Sequence, residues 1–191
     1  MISTKDVNPP DIAELDDQLN AAERDADQLT AGIDEKTGTF RSGGWSVAEC
    51  LDHLAVTNRV YLGAMKEPAM SARRDGKVRR GPARPGVFGR WFVASLEPPI
   101  RLRFKAPKMI EPGPSPSLAN ALAAFRSSQN EVHRFLEASA DLDLPGVYFA
   151  NPFLNGIRVS VATGLNVILA HERRHLWQAW RARKAAESSL R

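Results

Sequence analysis

Residues 45–67 read WSVAECLDHLAVTNRVYLGAMKE. Val47, Leu51, Leu54, Tyr61, Leu62 and Met65, with Asn58 on the same line, recur at three- and four-residue spacing. That is the period of a helix with one buried face. Ser46 precedes the run and Glu49 follows three residues later, the pattern of a capping box. The helix is predicted to stop before Pro68, whose ring removes a backbone donor and crowds the preceding turn. Three further stretches repeat this reading. Pro10 and Asp11 open a helix carrying Ile12, Leu15, Leu19, Ala22, Ala26 and Leu29 at the same spacing. Pro116 and Ser117 open another, with Leu118, Leu122, Phe125, Gln129, Val132 and Leu136 on its stripe. The last runs from about Val159 to Ala186 and carries Val161, Leu165, Ile168, Leu169, Leu176 and Trp180. Four amphipathic helices with one long connection predict an all-α four-helix bundle.

The chain of 191 residues suits a single domain, 1–191, with a loose arm at 1–9. Its long connection, 68–116, is punctuated by proline and glycine. Residues 72–86, ARRDGKVRRGPARPG, form its least ordered part. GVFGRWFVASLEPP (86–99) has room for a short helix, and IRLRFKAP (100–107) alternates like a strand or an extended pass. Between Ser71 and Lys108 stand eleven Lys/Arg against Asp75 and Glu97, within a chain of net charge +4. This basic insert reads first as a solvated loop, with attraction of nucleic acid, an anionic substrate or a membrane surface as the alternatives. No groove-reading or aromatic-interleaved motif accompanies it, so nucleic acid is not an expected partner. The single cysteine, Cys50, excludes an intrachain disulfide and fits a reducing compartment. The N-terminus has no apolar core of a signal peptide, and no apolar run is long enough to span a bilayer. A cytoplasmic protein without a membrane partner is the expectation.

The chemistry concentrates in few residues. Only four histidines exist: His53, His133, His171 and His175. His171 to His175 reads HERRH, which fits the zinc-peptidase string H-E-x-x-H. One helical turn apart, the two rings share a face, with Cβ atoms roughly 5–6 Å apart. A catalytic zinc site needs a third protein ligand. The extended peptidase pattern asks for glycine and histidine where Gln178 and Arg181 stand, and only Glu187 lies beyond. The peptidase reading is therefore weak. The upstream candidate is His53, at the border of the second helix's stripe. His53 with His171 and His175 would form a facial three-histidine site for one divalent transition metal such as Zn, Ni, Cu or Fe.

Glu172 and Gln178 are weak catalytic candidates. Glu172 points about 100° away from His171, and an ion pair with an arginine such as Arg59 competes with any role as a base. Asp52 and Asn58 are candidates to hydrogen-bond the outer nitrogens of the ligands. Cys50, one turn before His53, reads as a small buried residue. His133, without a partner at helical spacing, reads as a surface histidine. Trp45, Trp177 and Trp180 read as core or dimer-contact residues. Gly164, inside the last helix, costs about 1 kcal/mol against alanine, and close approach of a neighbour would account for it.

GGWSVAECLDHLAVTNRVYL (43–62) resembles the second-helix motif of the DinB-like superfamily. NPFLNGIRVSVATGLNVILAHERRHLWQAW (151–180) resembles that family's final-helix motif, a histidine, three residues, a histidine, then glutamine. No clear match falls within 68–114. The resemblance implies a four-helix bundle with a crossover after the second helix, often a homodimer. It implies a metal triad of His53, His171 and His175 holding Zn, Ni or Fe. It implies a metal-dependent hydrolase, or a transferase that uses a low-molecular-weight thiol, acting on a small molecule. The competing expectation is a non-catalytic bundle whose basic insert contacts an anionic partner.

Overall fold

The computed structural model describes residues 8–99 and 107–190. All but the last residue of the expected extended pass at 100–107, and most of the expected arm, lie outside them. Four long helices build the molecule: α1 (Pro10–Thr30), α3 (Val47–Arg74), α5 (Leu118–Ser139) and α6 (Val161–Ser189). Each of α1 and α3 packs against both α5 and α6, so the bundle closes in the ring α1–α5–α3–α6. The fold is the all-α bundle that the periodicity predicts. Two short helices decorate it, α2 (Glu35–Thr39) before α3 and α4 (Val87–Leu96) in the crossover from α3 to α5.

Local chemistry sets the helix starts. Ser46 Oγ accepts from Glu49 N–H at 3.2 Å, while the Glu49 carboxylate accepts from Ser46 N–H at 2.9 Å, completing the capping box of α3. Ser117 and Ser160 cap α5 and α6 through their hydroxyls. The predicted stripe of α1 is buried throughout, as is that of α3. In α6 Trp180 departs from a core placement: it is 37% exposed, and its indole N–H donates to Asp25 at 2.8 Å. An indole has a donor to satisfy, and the rim of the bundle satisfies it.

Three boundaries differ from those expected. First, α3 runs through Pro68 to Arg74. Proline costs one helical hydrogen bond, but Ala69 and Ala72 beyond it are buried in the core, and Arg73 pairs with Asp141 at 2.7 Å. Tertiary contacts thus override the local signal, and the crossover starts at 75 rather than 68. Second, α6 begins at Val161, because residues 158–160 belong to a hairpin. Strands β1 (Tyr148–Ala150) and β2 (Arg158–Ser160) pair antiparallel with Phe149 opposite Val159, both buried. Three-residue strands are too short to show a period. Third, residues 77–80 are pinned rather than loose. Arg79 N–H donates to Asp141 C=O, Asp143 N–H donates to Lys77 C=O, and Arg79 pairs with Asp11.

The core falls into two apolar clusters, one around Leu62, Met65 and Ile168 and one around Leu51, Phe125 and Leu176. Between them lie Asn58, Ser128, Gln129 and Glu172, all buried. Gly164 does sit at a close approach. A Cβ there would stand 2.7 Å from Met65 Sδ and 2.8 Å from the Phe149 ring.

Candidate metal centre

His53 lies in the second turn of α3, and His171 and His175 lie one turn apart on α6. Since α3 and α6 are neighbours in the ring, the three imidazoles meet at their contact. One nitrogen from each falls within 4.8 Å of the others, a grouping that could hold a metal ion. His53 Nε2 stands 3.2 Å from His171 Nε2. Two nitrogens bound to one tetrahedral zinc at about 2.0–2.1 Å would be separated by about 3.3 Å. His53 and His175 are buried, while His171 is partly exposed.

The tautomer of His53 is fixed by its surroundings. Its Nδ1 lies 2.5 Å from the carbonyl oxygen of Ile110. A carbonyl only accepts, so Nδ1 carries the proton and Nε2 presents its lone pair to the other rings. Ile110 ends a single 3-10 turn, Lys108–Ile110, within the crossover. That turn is held from the same helix, because Gly113 N–H donates to Asp52 Oδ2 at 2.8 Å. Trp45 closes the cluster on another side, with its ring 4.6 Å from His53 and 5.7 Å from His175.

Burial favours the neutral form of all three rings. Burial lowers the pKa of His53, against the Ile110 carbonyl and the Asp52 charge, which raise it. Burial holds His171 and His175 well below 6.5, and mutual repulsion and the Arg174 guanidinium push them further down. Gln178 lies beside His175 and opposes that shift, yet the Nδ1 atoms of His171 and His175 are buried without a hydrogen-bond partner. Neutral imidazole is the ligand form, so the donor set fits a transition metal.

Of the other candidates, the structure moves several. Asn58 does not touch the histidines. Its Nδ2 donates to Glu172 Oε1 at 2.8 Å and approaches Ser128 and Gln129 at 3.3 Å. Asp52 acts on His53 through its charge and through the crossover turn it holds at Gly113. Glu172 is fully buried on Asn58, and burial raises its carboxyl to about 8 against hydrogen bonds from Asn58 and Gln129. It is not paired with Arg59, which binds Glu131 instead. Nor does it face the cluster as the general base of a peptidase. His133 is partly buried rather than a free surface residue, with Nδ1 2.6 Å from Asp16 on α1. Cys50 is fully buried, as expected, and burial pushes its thiol up. Ile110 and the covering role of Trp45 escaped the sequence reading. A backbone carbonyl in an aperiodic crossover leaves no residue-type signal. The tryptophan at the head of the capping box was visible, but its direction was not. Beside this region, the start of α3 and residues 112–117 line a polar cleft of about 640 Å³.

Fold and cluster together define a four-helix bundle with three histidines gathered from its second and last long helices. The chain belongs to the DinB superfamily, whose family model matches residues 18–179. No curated protein and no solved structure matches it significantly.

Proposed function

We propose that this protein is a metal-dependent enzyme acting on a small molecule, with one divalent transition metal held by His53, His171 and His175. The observation that carries the reading is the convergence of three neutral imidazoles on one point. Buried rings bring a desolvation cost, which a cation shared by the three would offset, and His53 Nε2 already stands 3.2 Å from His171 Nε2. When bound, the ion supplies Lewis acidity that makes a water or a thiol nucleophilic near neutral pH.

The chain's own residues do the remainder. The Ile110 carbonyl holds the proton of His53 on Nδ1 and so keeps Nε2 available. Asp52 holds the turn that carries Ile110. Trp45 covers the His53 and His175 rings and limits water there, while the partly exposed edge at His171 admits a substrate. Hydrolysis and transfer of a low-molecular-weight thiol both suit this arrangement. No described side chain stands over the cluster as a dedicated base, so the attacking group's own acidity matters most. That favours thiol transfer, because a thiol needs less help to ionise than water does.

The test is elemental analysis of tag-free protein, coupled to turnover of small electrophiles and esters with and without added thiol. Wild type is expected to carry about one transition metal per chain and His53→Ala much less. Thiol-dependent turnover should fall on the order of a hundredfold in His53→Ala. Equal metal and equal turnover in both proteins would overturn the assignment.

A further inference from the structure

Helix α4 is apolar on both sides, which a helix needs only if both are covered. Its inner side is accounted for. Gly89 lies so close to α6 that a Cβ would meet Thr163 Oγ1 at 2.5 Å, and Phe92, Val93 and Leu96 pack on the core. The helix is also anchored at its end, where Glu97 takes hydrogen bonds from Arg173 of α6. Its outer side carries Val87, Phe88 and Trp91, which are 76%, 53% and 67% exposed. The rings of Phe88 and Trp91 lie 6.0 Å apart, so the aromatic surface is continuous.

The arginines of this helix and of the segment leading to it differ in their pairing. Arg73, Arg74 and Arg79 each form an ion pair. Arg80, Arg84 and Arg90 are exposed, and none has an ion pair among the described residues. Arg84 stands three residues before α4, and Arg90 lies on it. An exposed Trp–Phe–Val face beside arginines without an ion pair among the described residues combines apolar area with positive charge, the two contributions that add in binding an anionic interface. Tryptophan favours the headgroup level of a bilayer, and each arginine near an anionic surface adds attraction. A second copy fits this face less well. A two-fold contact would bring like arginines together around the apolar centre.

We infer that the outer face of α4, with Arg84 and Arg90, docks the protein on anionic lipid surfaces. The contact is peripheral. Among the described residues no helix is long and apolar enough to cross a membrane. The expectation of no membrane partner rested on the lack of a spanning segment, and this surface requires none. The inference does not depend on the metal centre.

The experiment uses the full chain with vesicles of phosphatidylcholine alone or with added phosphatidylglycerol. Co-sedimentation, tryptophan emission and sedimentation velocity without lipid are measured for wild type, Trp91→Ala and the double variant Arg84→Glu/Arg90→Glu. All three positions are exposed, and circular dichroism checks that the helices remain. Wild type should bind the anionic vesicles, release them as salt rises, and shift its emission to the blue. The arginine variant should bind at least about tenfold more weakly. Trp91→Ala should bind several-fold more weakly and lose the shift. Absence of binding to anionic vesicles, equal binding to both vesicle types, or variants that bind like wild type would overturn the inference. Self-association abolished by Trp91→Ala would overturn it too, by assigning the face to a second copy.

Discussion

Glu172 and Asp52 show how far one carboxyl's surroundings decide its work. Glu172 is buried against Asn58 and Gln129, and its pKa rises from the usual 4.5 to about 8. A carboxyl raised in the folded state favours folding while it holds its proton. That contribution is complete below about 4.5 and is lost as pH rises through about 8. The three histidines run oppositely. Their pKa values are lowered by burial, so they lower stability as pH falls below 6.5, where the unfolded chain binds protons first. The two effects separate above 6.5. In metal-free wild type, the urea midpoint should decline between about pH 6.5 and 8.5, and in Glu172→Gln it should stay level. A decline of equal size in both proteins would remove Glu172 as its source. Asp52 is exposed to a different test. Asp52→Ala frees the Gly113 amide and loosens the turn that fixes His53. Metal affinity, measured by competition with a chelator, should fall about tenfold. Asp52→Asn keeps an acceptor for that amide and should retain most of the affinity.

At the level of the helices, the four stripes were plain because amphipathic periodicity and serine caps are local properties. Ser46, Ser117 and Ser160 cap their helices through contacts three residues away, so each start was legible to within two residues. Pro68 was not, because what carries α3 past it is burial of Ala69 and Ala72 and the reach of Arg73 to Asp141. Proline inside a helix remains a local cost, because its ring nitrogen has no hydrogen to donate to the preceding turn. Pro68→Ala should therefore raise stability by about 1–3 kcal/mol, read as an upward shift of the thermal midpoint. A lower midpoint would mean that the proline's restriction of the unfolded chain outweighs the missing bond. The polar layer of Asn58, Ser128, Gln129 and Glu172 was also hidden. Asn58 and Gln129 were visible on the stripes, but only the packed bundle shows that they stand at one height. Gln129 Nε2 also donates to Leu19 C=O on α1, so this layer touches all four long helices. A buried polar layer of this kind disfavours sliding of one helix along another.

Across the whole molecule, the sequence carried the histidine spacing on α6 and the place of His53 on its helix, and the ring order of the bundle brings the two together. What it could not carry was the long-range part of the centre: the Ile110 carbonyl arriving from the crossover, and Trp45 folding over two rings. The Ile110–His53 and Trp45–His175 contacts join residues more than fifty positions apart, and none of these contacts leaves a period to read. The crossover thereby has two roles, closing the histidine cluster with its later part and presenting the aromatic face of α4 with its earlier part. The central claim is that the three imidazoles share one cation. It is tested most directly by an anomalous difference map from crystals of tag-free protein grown without chelator. The account predicts a single strong peak about 2.0–2.2 Å from Nε2 of His53 and from one ring nitrogen each of His171 and His175. A map with no peak between these rings, or with the ion bound elsewhere on the chain, would contradict it.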